Sequence, residues 1–330
     1  MKLHPFVSLL ITAALCAFAG AHAQDAPAPV PEPFTGADYE TPPGSDPYLV
    51  VLGVAQDAGY PQLGCDRDCC RAVRAGQRES RSVVSLGMVD PASKRFWLFE
   101  ATPDFPAQYD RLRSLAPPGS TFGGVFLTHA HIGHYTGLMY LGREALGAQG
   151  APVYAMPRMA DFLRNNGPWS QLVELGNIRL EKLAVLANVT LGEDLVVRPF
   201  LVPHRDEFSE TVAFEIHGPH RTVVFLPDID KWSRWGGSLP LLLDRIDRAY
   251  IDATFYHPDE LPGRDMSEIP HPYVPETMAL LQSLPPEDKA KVHFIHFNHT
   301  NPLLDPESEA AEEVRERGFE VAREGDVVGL

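Results

Sequence analysis

Three histidines within six residues constrain this chain more than any other feature. Thr128-His129-Ala130-His131-Ile132-Gly133-His134 follows directly on Gly124-Val125-Phe126-Leu127, an apolar run that reads as a strand, and precedes a segment that reads as a helix from about 136 to 146. On a turn between strand and helix, three imidazoles can converge on one point, as a metal ion requires. The plain alternative is a surface histidine cluster. The H-x-H-x-x-H spacing directly after a buried strand argues against it.

Composition narrows what such a site would serve. The chain has 330 residues, with 44 Asp and Glu against 28 Lys and Arg, a formal charge of −16. That charge repels a nucleic-acid backbone or an anionic membrane surface, so neither is expected as a standing partner, and a small-molecule substrate is. With 44 % hydrophobic and 9 % aromatic residues the chain can still bury a core. Four cysteines are too few for a disulfide scaffold at this length.

The first residues read as a processing signal. Lys2 supplies a positive start, Phe6 to Ala21 is apolar, and Ala21-His22-Ala23 is a small-x-small cleavage site, so residues 1–23 read as a secretory signal peptide. The apolar stretch is shorter than the roughly 20 residues a bilayer span needs. No later segment is long and apolar enough, so stable membrane insertion is not expected and the product reads as secreted, in the periplasm. Residues 24–48 hold seven prolines and read as a linker. The remainder, 49–330, reads as one domain.

Within that domain the apolar runs are mostly short and bounded by turn residues, as strands are. Strands are expected at 48–53, 82–89, 96–100, 124–127, 153–156, 195–202, 249–251 and 292–295, with a hairpin of 212–216 and 222–226 across Gly218-Pro219. Helices are expected at 105–115, 158–165, 240–246, 275–284 and 307–317. Two clusters of strands, each accompanied by helices, suggest an α/β (α+β) domain of two sheets packed face to face with helices outside.

The histidine motif resembles that of the metallo-β-lactamase superfamily, H-x-H-x-D-H at this position. The resemblance implies an αββα sandwich of two mixed sheets and further ligands at later strand ends. His204 looks like the third histidine, Asp228 in Phe225-Leu226-Pro227-Asp228 like the bridging aspartate, and His296 in Phe294-Ile295-His296 like the last ligand. An aspartate after a strand is, taken alone, more often a turn or cap residue. As a set, His129, His131 and His204 would hold one ion and leave a fourth position for water, the open geometry of catalytic zinc. His134, Asp228 and His296 would serve a second ion, with Asp228 bridging. One position departs from the motif: Gly133 stands where the superfamily has aspartate, so the second site should bind weakly or borrow a carboxylate. Asp57, Glu100 and Asp104 lie on loops near enough to be considered, but polar loop residues are usually just solvated, and none is expected to ligate.

The C-terminal part is similar to the ribonuclease Z branch of that superfamily. There an acidic residue after a strand orients a histidine at a helix start, which implies that Asp252 holds His271 and His271 protonates the leaving group. The bland reading keeps His271 as a packing residue between Pro270 and Pro272. His217, His220, His257 and His293 read as surface or sheet residues. The region 49–304 further resembles the pyrroloquinoline quinone biosynthesis protein B family, through Tyr60-Pro61-Gln62 with a following cysteine cluster, Thr102-Pro103-Asp104, Thr136-Gly137-Leu138, Asp252-Ala253-Thr254-Phe255 and Asn298-His299-Thr300-Asn301-Pro302. That family carries a C-x-C-x-x-C loop that looks like a structural zinc site. Here Cys65 and Cys70 match the outer cysteines, Arg67 replaces the middle one and Cys69 is extra. Three thiolates with a distant fourth ligand such as a histidine could hold zinc; in an oxidising compartment a disulfide plus one free thiol competes.

These readings make the chain an exported metallohydrolase, a metal-bound hydroxide attacking an ester, lactam, lactone or phosphodiester. The cofactor is one or two zinc ions at the active site, with one structural zinc in addition if the cysteine loop binds it. The alternatives are a non-haem iron oxygenase related to pyrroloquinoline quinone biosynthesis and a non-catalytic metal-binding protein.

Overall fold

Fourteen strands account for most of the apolar runs of residues 44–330, the part of the chain that the computed structural model describes. The leader reading of 1–23, and the linker except its last residues, lie outside the described residues. The linker boundary needs correcting at its end. Tyr48 already opens the first strand, and the carbonyl of Pro47 accepts a hydrogen bond from the Leu330 amide at 2.8 Å.

In chain order the strands are β1 (Tyr48–Gly53), β2 (Ser85–Asp90), β3 (Arg95–Phe99), β4 (Thr121–Phe126), β5 (Ala151–Ala155), β6 (Ile178–Lys182), β7 (Val189–Thr190) and β8 (Val196–Leu201). They continue with β9 (Val212–His217), β10 (Thr222–Leu226), β11 (Arg248–Asp252), β12 (Val292–Ile295), β13 (Glu320–Val321) and β14 (Val327–Gly329). One sheet has the order β14-β1-β2-β3-β4-β5-β6 and the other β13-β12-β11-β10-β9-β8-β7, seven strands each. Both are mixed: β1, β2 and β3 pair antiparallel while β3 to β6 run parallel, and β8, β9 and β10 pair antiparallel while β10 to β13 run parallel.

The sheets meet on aromatic rings. Phe99 and Phe126 of the first sheet stack at 5.0 Å, and Phe214 and Phe225 of the second close on Phe99 edge-on at 5.6 and 6.1 Å. All four are fully buried, each contributing about 2–3 kcal/mol by leaving water. On the outside of the first sheet lies the helix Phe105–Leu115, started by Pro106 in its first turn, where a missing amide proton costs nothing. It buries Phe105, Gln108 and Leu112. Gly87 on β2 makes that contact: a Cβ there would sit 2.4 Å from Leu112 Cδ1.

The expected helix at 136–146 is not regular. A short α-turn, Ile132–Tyr135, runs into a 3-10 segment, Thr136–Leu141, which then stops. The reason is close packing: Gly137 lies so near Ala101 and Thr102 that a Cβ would meet the Thr102 carbonyl oxygen at 2.1 Å, and its amide donates to the Ala101 carbonyl at 2.9 Å. Parallel strands end in loops on one rim, and in such sheets ligands bind outside the carboxyl ends of strands.

Candidate metal centre

Each donor of the centre stands just past a strand. Asp57 follows β1, His129 to His134 follow β4, His204 follows β8, Asp228 follows β10 and His296 follows β12, while Asp252 ends β11. The structure therefore brings together all six residues expected as ligands, and it brings Asp57 with them. Two non-glycine residues of this rim have left-handed backbone, Glu100 with φ 80° and His296 with φ 70°. That conformation costs of order 1 kcal/mol or more, and the surrounding structure must hold it.

His129 Nε2 is 2.9 Å from His131 Nδ1, His204 Nε2 is 3.2 Å from His131 Nδ1, and both Nε2 atoms are 3.4 Å from Asp228 Oδ2. A tetrahedral ion with ligand bonds of about 2.05 Å has ligand atoms about 3.3 Å apart. The four atoms fit that shape. Beside them His134 Nε2 lies 3.1 Å from Asp57 Oδ1 and 3.7 Å from Asp228 Oδ2, and His296 Nε2 lies 4.0 Å from the same Asp228 oxygen. Asp228 Oδ2 thus faces both groups.

The outer nitrogens fix which ring atom carries the lone pair. Thr128 Oγ1 donates to Glu100 Oε1 at 2.5 Å, so it accepts from His129 Nδ1 at 2.9 Å. Thr254 Oγ1 donates to Asp252 Oδ1 at 2.7 Å and accepts from His296 Nδ1 at 2.8 Å. His131 Nε2 donates to Glu207 Oε2 at 3.1 Å, and His134 Nδ1 faces Glu100 Oε1 at 3.2 Å. The contacts of His129, His131 and His296 leave the inward nitrogen unprotonated, the form a metal ligand takes. Among the described residues nine buried side-chain polar atoms have no hydrogen-bond partner. Six of them belong to this cluster: Asp57 Oδ1, both nitrogens of His134, His204 Nδ1, Asp228 Oδ1 and His296 Nε2. Buried polar groups are almost always paired, and three of these atoms, Asp57 Oδ1, His134 Nε2 and His296 Nε2, belong to one compact donor group, which fits a cation.

Electrostatics agree. Burial, then the neighbouring imidazoles, hold His129 well below the ordinary histidine range, and His204 is pushed the same way by burial and His271. Burial takes His296 down to about 3. His134 behaves oppositely: burial opposes its charge, but Glu100 and Asp57 on either side raise its pKa well above the usual value. Burial also pushes Asp228 up to about 8, and a cation against its Oδ2 would reverse that shift.

His271 stands at the edge of the cluster. Its Nδ1 is 2.8 Å from Asp252 Oδ2 and 3.2 Å from Asp228 Oδ1, and although burial opposes charge, Asp252 and Asp228 lift its pKa to about 9. Asp252 itself is held by the amides of Ile229 at 3.0 Å and Thr254 at 2.8 Å. The packing reading of His271 does not explain these contacts.

Of the three loop carboxylates not expected to ligate, two stand beside the histidines. Asp57 faces His134, and Glu100 is fully buried against Thr128 and His134. Asp104 lies elsewhere, accepting from the Val83 amide at 2.8 Å. Thr128, Thr254 and Glu207, not singled out from sequence, orient the ligands. Thr128 alone carries a local signal, its adjacency to His129; Thr254 and Glu207 lie 42 and 76 residues from the histidines they orient. Of the remaining histidines, His220 and His257 are exposed, His217 is half-buried, and His293 is buried in β12.

A second cluster forms where the cysteine loop meets the segment after β12. Cys65, Cys69, Cys70 and His299 each offer a donor atom within 4.8 Å of the others. All three cysteines are free thiols, with Cys69 and Cys70 sulfurs 3.9 Å apart. Tetrahedral zinc with bonds of about 2.3 Å to sulfur separates thiolates by about 3.8 Å. His299 Nδ1 lies 3.1 Å from Asn298 Oδ1, which leaves its Nε2 as the donor. The distant fourth ligand anticipated for the loop is thus a histidine three residues after His296.

Residues 95–296 match the family model described as "Beta-lactamase superfamily domain". Coenzyme PQQ synthesis protein B of Klebsiella pneumoniae (strain 342) is 27 % identical over 313 residues, spanning 86 % of this chain and 98 % of that protein. The crystal structure of Zn(2+)-bound PqqB from Methylobacterium extorquens superimposes with a TM-score of 0.72 at 22 % identity, covering 86 % of this chain and all of that one. A diphosphatase from the PhnP family gives 0.59 at 20 % identity, covering 86 % of this chain and 97 % of that one. At these identities the two structures speak for the fold, which is that of the two-sheet sandwich described above.

Proposed function

Because the chain belongs to the beta-lactamase superfamily, we propose that it is an exported metal-dependent hydrolase with a two-ion centre, acting on a small ester, lactam, lactone or phosphodiester. The observation that carries this reading is the tetrahedral set of His129, His131, His204 and Asp228, in which outer partners free the inward nitrogens of His129 and His131. His129, His131, His204 and Asp228 would hold a zinc ion, which would supply Lewis-acid polarisation and lower the pKa of a water.

The chain's own residues do the rest. Asp228 presents one oxygen to both ligand groups and the other to His271. Asp252 fixes the Nδ1 side of His271 at 2.8 Å, so Nε2 is the nitrogen left to protonate a departing oxygen or nitrogen. Ile132, within the histidine turn, and Phe208, next to the Glu207 that meets His131, are exposed and offer apolar contact to a substrate. The acidic surface disfavours a polyanionic nucleic acid. The Cys65, Cys69, Cys70 and His299 cluster is a closed four-ligand set, the pattern of structural zinc.

Metal content per chain, measured on protein purified without chelator, together with assays on chromogenic phosphodiesters, lactones and cephalosporins, tests the reading. Zinc with hydrolysis that His131→Ala abolishes is the expected result. Iron with oxygen uptake coupled to a hydroxylated product would overturn it in favour of an oxygenase of the kind the relatives' role in cofactor synthesis suggests. Metal binding without turnover of any substrate class would make the protein a carrier. Export is part of the proposal, and N-terminal sequencing of the periplasmic fraction should find a chain that has lost residues 1–23.

A further inference from the structure

We propose that Asp57 supplies the carboxylate that position 133 lacks, reaching the second metal position from the loop after β1 and occupying the very space a side chain at 133 would fill. The inference rests on the two-ion hydrolase reading and identifies which residue completes its weaker half. A Cβ placed on Gly133 would lie 2.3 Å from Asp57 Oδ1, 2.4 Å from Asp57 Cα and 3.0 Å from Asp57 Cβ. No side chain at 133 can coexist with Asp57 where it stands, so the glycine and the aspartate are one arrangement.

The carboxylate is aimed inward. Asp57 Oδ1 is 3.1 Å from His134 Nε2, yet both atoms are buried without a hydrogen-bond partner, and His296 Nε2, the third member of the group, is likewise unpartnered. The three donor atoms lie within 4.8 Å of one another. Gln56 Nε2 donates to the outer oxygen, Asp57 Oδ2, at 3.2 Å, which leaves Oδ1 for the centre.

The loop is also fixed in register with the ligand strand. Gln56 donates its amide to the Phe297 carbonyl at 2.8 Å, and Phe297 returns one to the Val54 carbonyl at 2.8 Å. Asp57 is therefore tied, one residue away, to the residue after His296. A carboxylate held in this way is as pre-positioned as one carried by the histidine turn itself.

The test varies Asp57 itself. Cutting it down to alanine leaves its Cα and Cβ 2.4 and 3.0 Å from where a Cβ at 133 would stand, so the carboxylate cannot be handed back to that position. Titration of the apo protein with cobalt(II), followed by visible absorption and by ions bound per chain, reads each position without substrate. The parent should bind two active-site ions. Asp57→Ala should keep its fold by circular dichroism and weaken the second ion about 10- to 100-fold, and Asp57→Asn, which keeps the shape and loses the charge, should weaken it as well.

An Asp57→Ala or a folded Asp57→Asn protein that binds both ions as tightly as the parent overturns the proposal. A parent that takes up one active-site ion overturns it together with the two-ion centre, but not metal-dependent hydrolysis. A parent that binds none overturns both.

Discussion

The two donor clusters of this molecule are built on opposite plans. The cysteine cluster takes three of its four donors from residues 65–70, one loop and the start of one helix, and only His299 comes from afar. The histidine centre collects its donors from the ends of β1, β4, β8, β10 and β12, across both sheets. A local set of soft thiolates closed by a fourth protein ligand holds an ion out of reach of substrate. A dispersed set of nitrogens and oxygens leaves room at the ion for chemistry. The two meet on one short stretch, since His296 belongs to one and His299 to the other.

The sharpest way to break this contrast is His131→Ala. It should lower kcat/KM by about a thousandfold, or ~4 kcal/mol of transition-state stabilisation, while metal at the cysteine cluster is retained. Equal loss from both clusters, by element analysis of the variant, would mean they are one unit.

His271→Gln should lower kcat about a hundredfold with both ions still bound. The drop should shrink for substrates with activated leaving groups, which need no proton, and a drop that ignores the leaving group would assign His271 to packing. Cys70→Ser should act on stability instead, costing about 2 kcal/mol and lowering the melting temperature by roughly 4–8 °C, with kcat within a few-fold of the parent. Glu100→Gln should weaken the second ion about tenfold by loosening His134, the size of effect that partners of metal ligands have. Titration with cobalt(II) would show it.

The smallest effect belongs to a buried ion cluster on β9 that shares no residue with either donor set. Glu215 is fully buried; burial alone would raise its pKa, but His217, Arg245 and Arg198 hold it down to about 2. Its folded pKa is below the unfolded one, so its stabilising contribution is present above about pH 4.5 and is lost as pH falls toward 2. Glu215→Gln should flatten that acid limb by about 1 kcal/mol and leave metal binding alone, as read by urea melts at several pH values.

Legibility followed the same division. The turn of His129, His131 and His134 could be read from its spacing after an apolar run, whereas His204, Asp228 and His296 came only from the resemblance to the superfamily's ligand order; the hairpin Val212–His217 with Thr222–Leu226 could be read from two apolar runs across Gly218-Pro219. Asp57 could not be read as a donor. Its partner is 77 residues away at His134, and the only mark it leaves there is a glycine. His299 was hidden in the same way, three residues past a ligand but serving another cluster. The edge strand β6 was missed because Ile178-Arg179-Leu180-Glu181-Lys182 is charged on its open side, as edge strands often are. The segment after His134 was misread because the Thr102 carbonyl and the Ala101 backbone, not local propensity, set its path.

Distributing donors over both sheets has a mechanical side. Phe99, Phe126, Phe214 and Phe225 cement the two layers through their middle, but at the rim the seam is crossed by His129 and His134 from one layer and His204, Asp228 and His296 from the other. An ion there is a rivet between the layers. It adds stability in proportion to the logarithm of its concentration over its dissociation constant, about 4 kcal/mol at a thousandfold excess. Stripped of metal, the sandwich should open first along this rim, and proteases should cut first at the loops that carry the histidines.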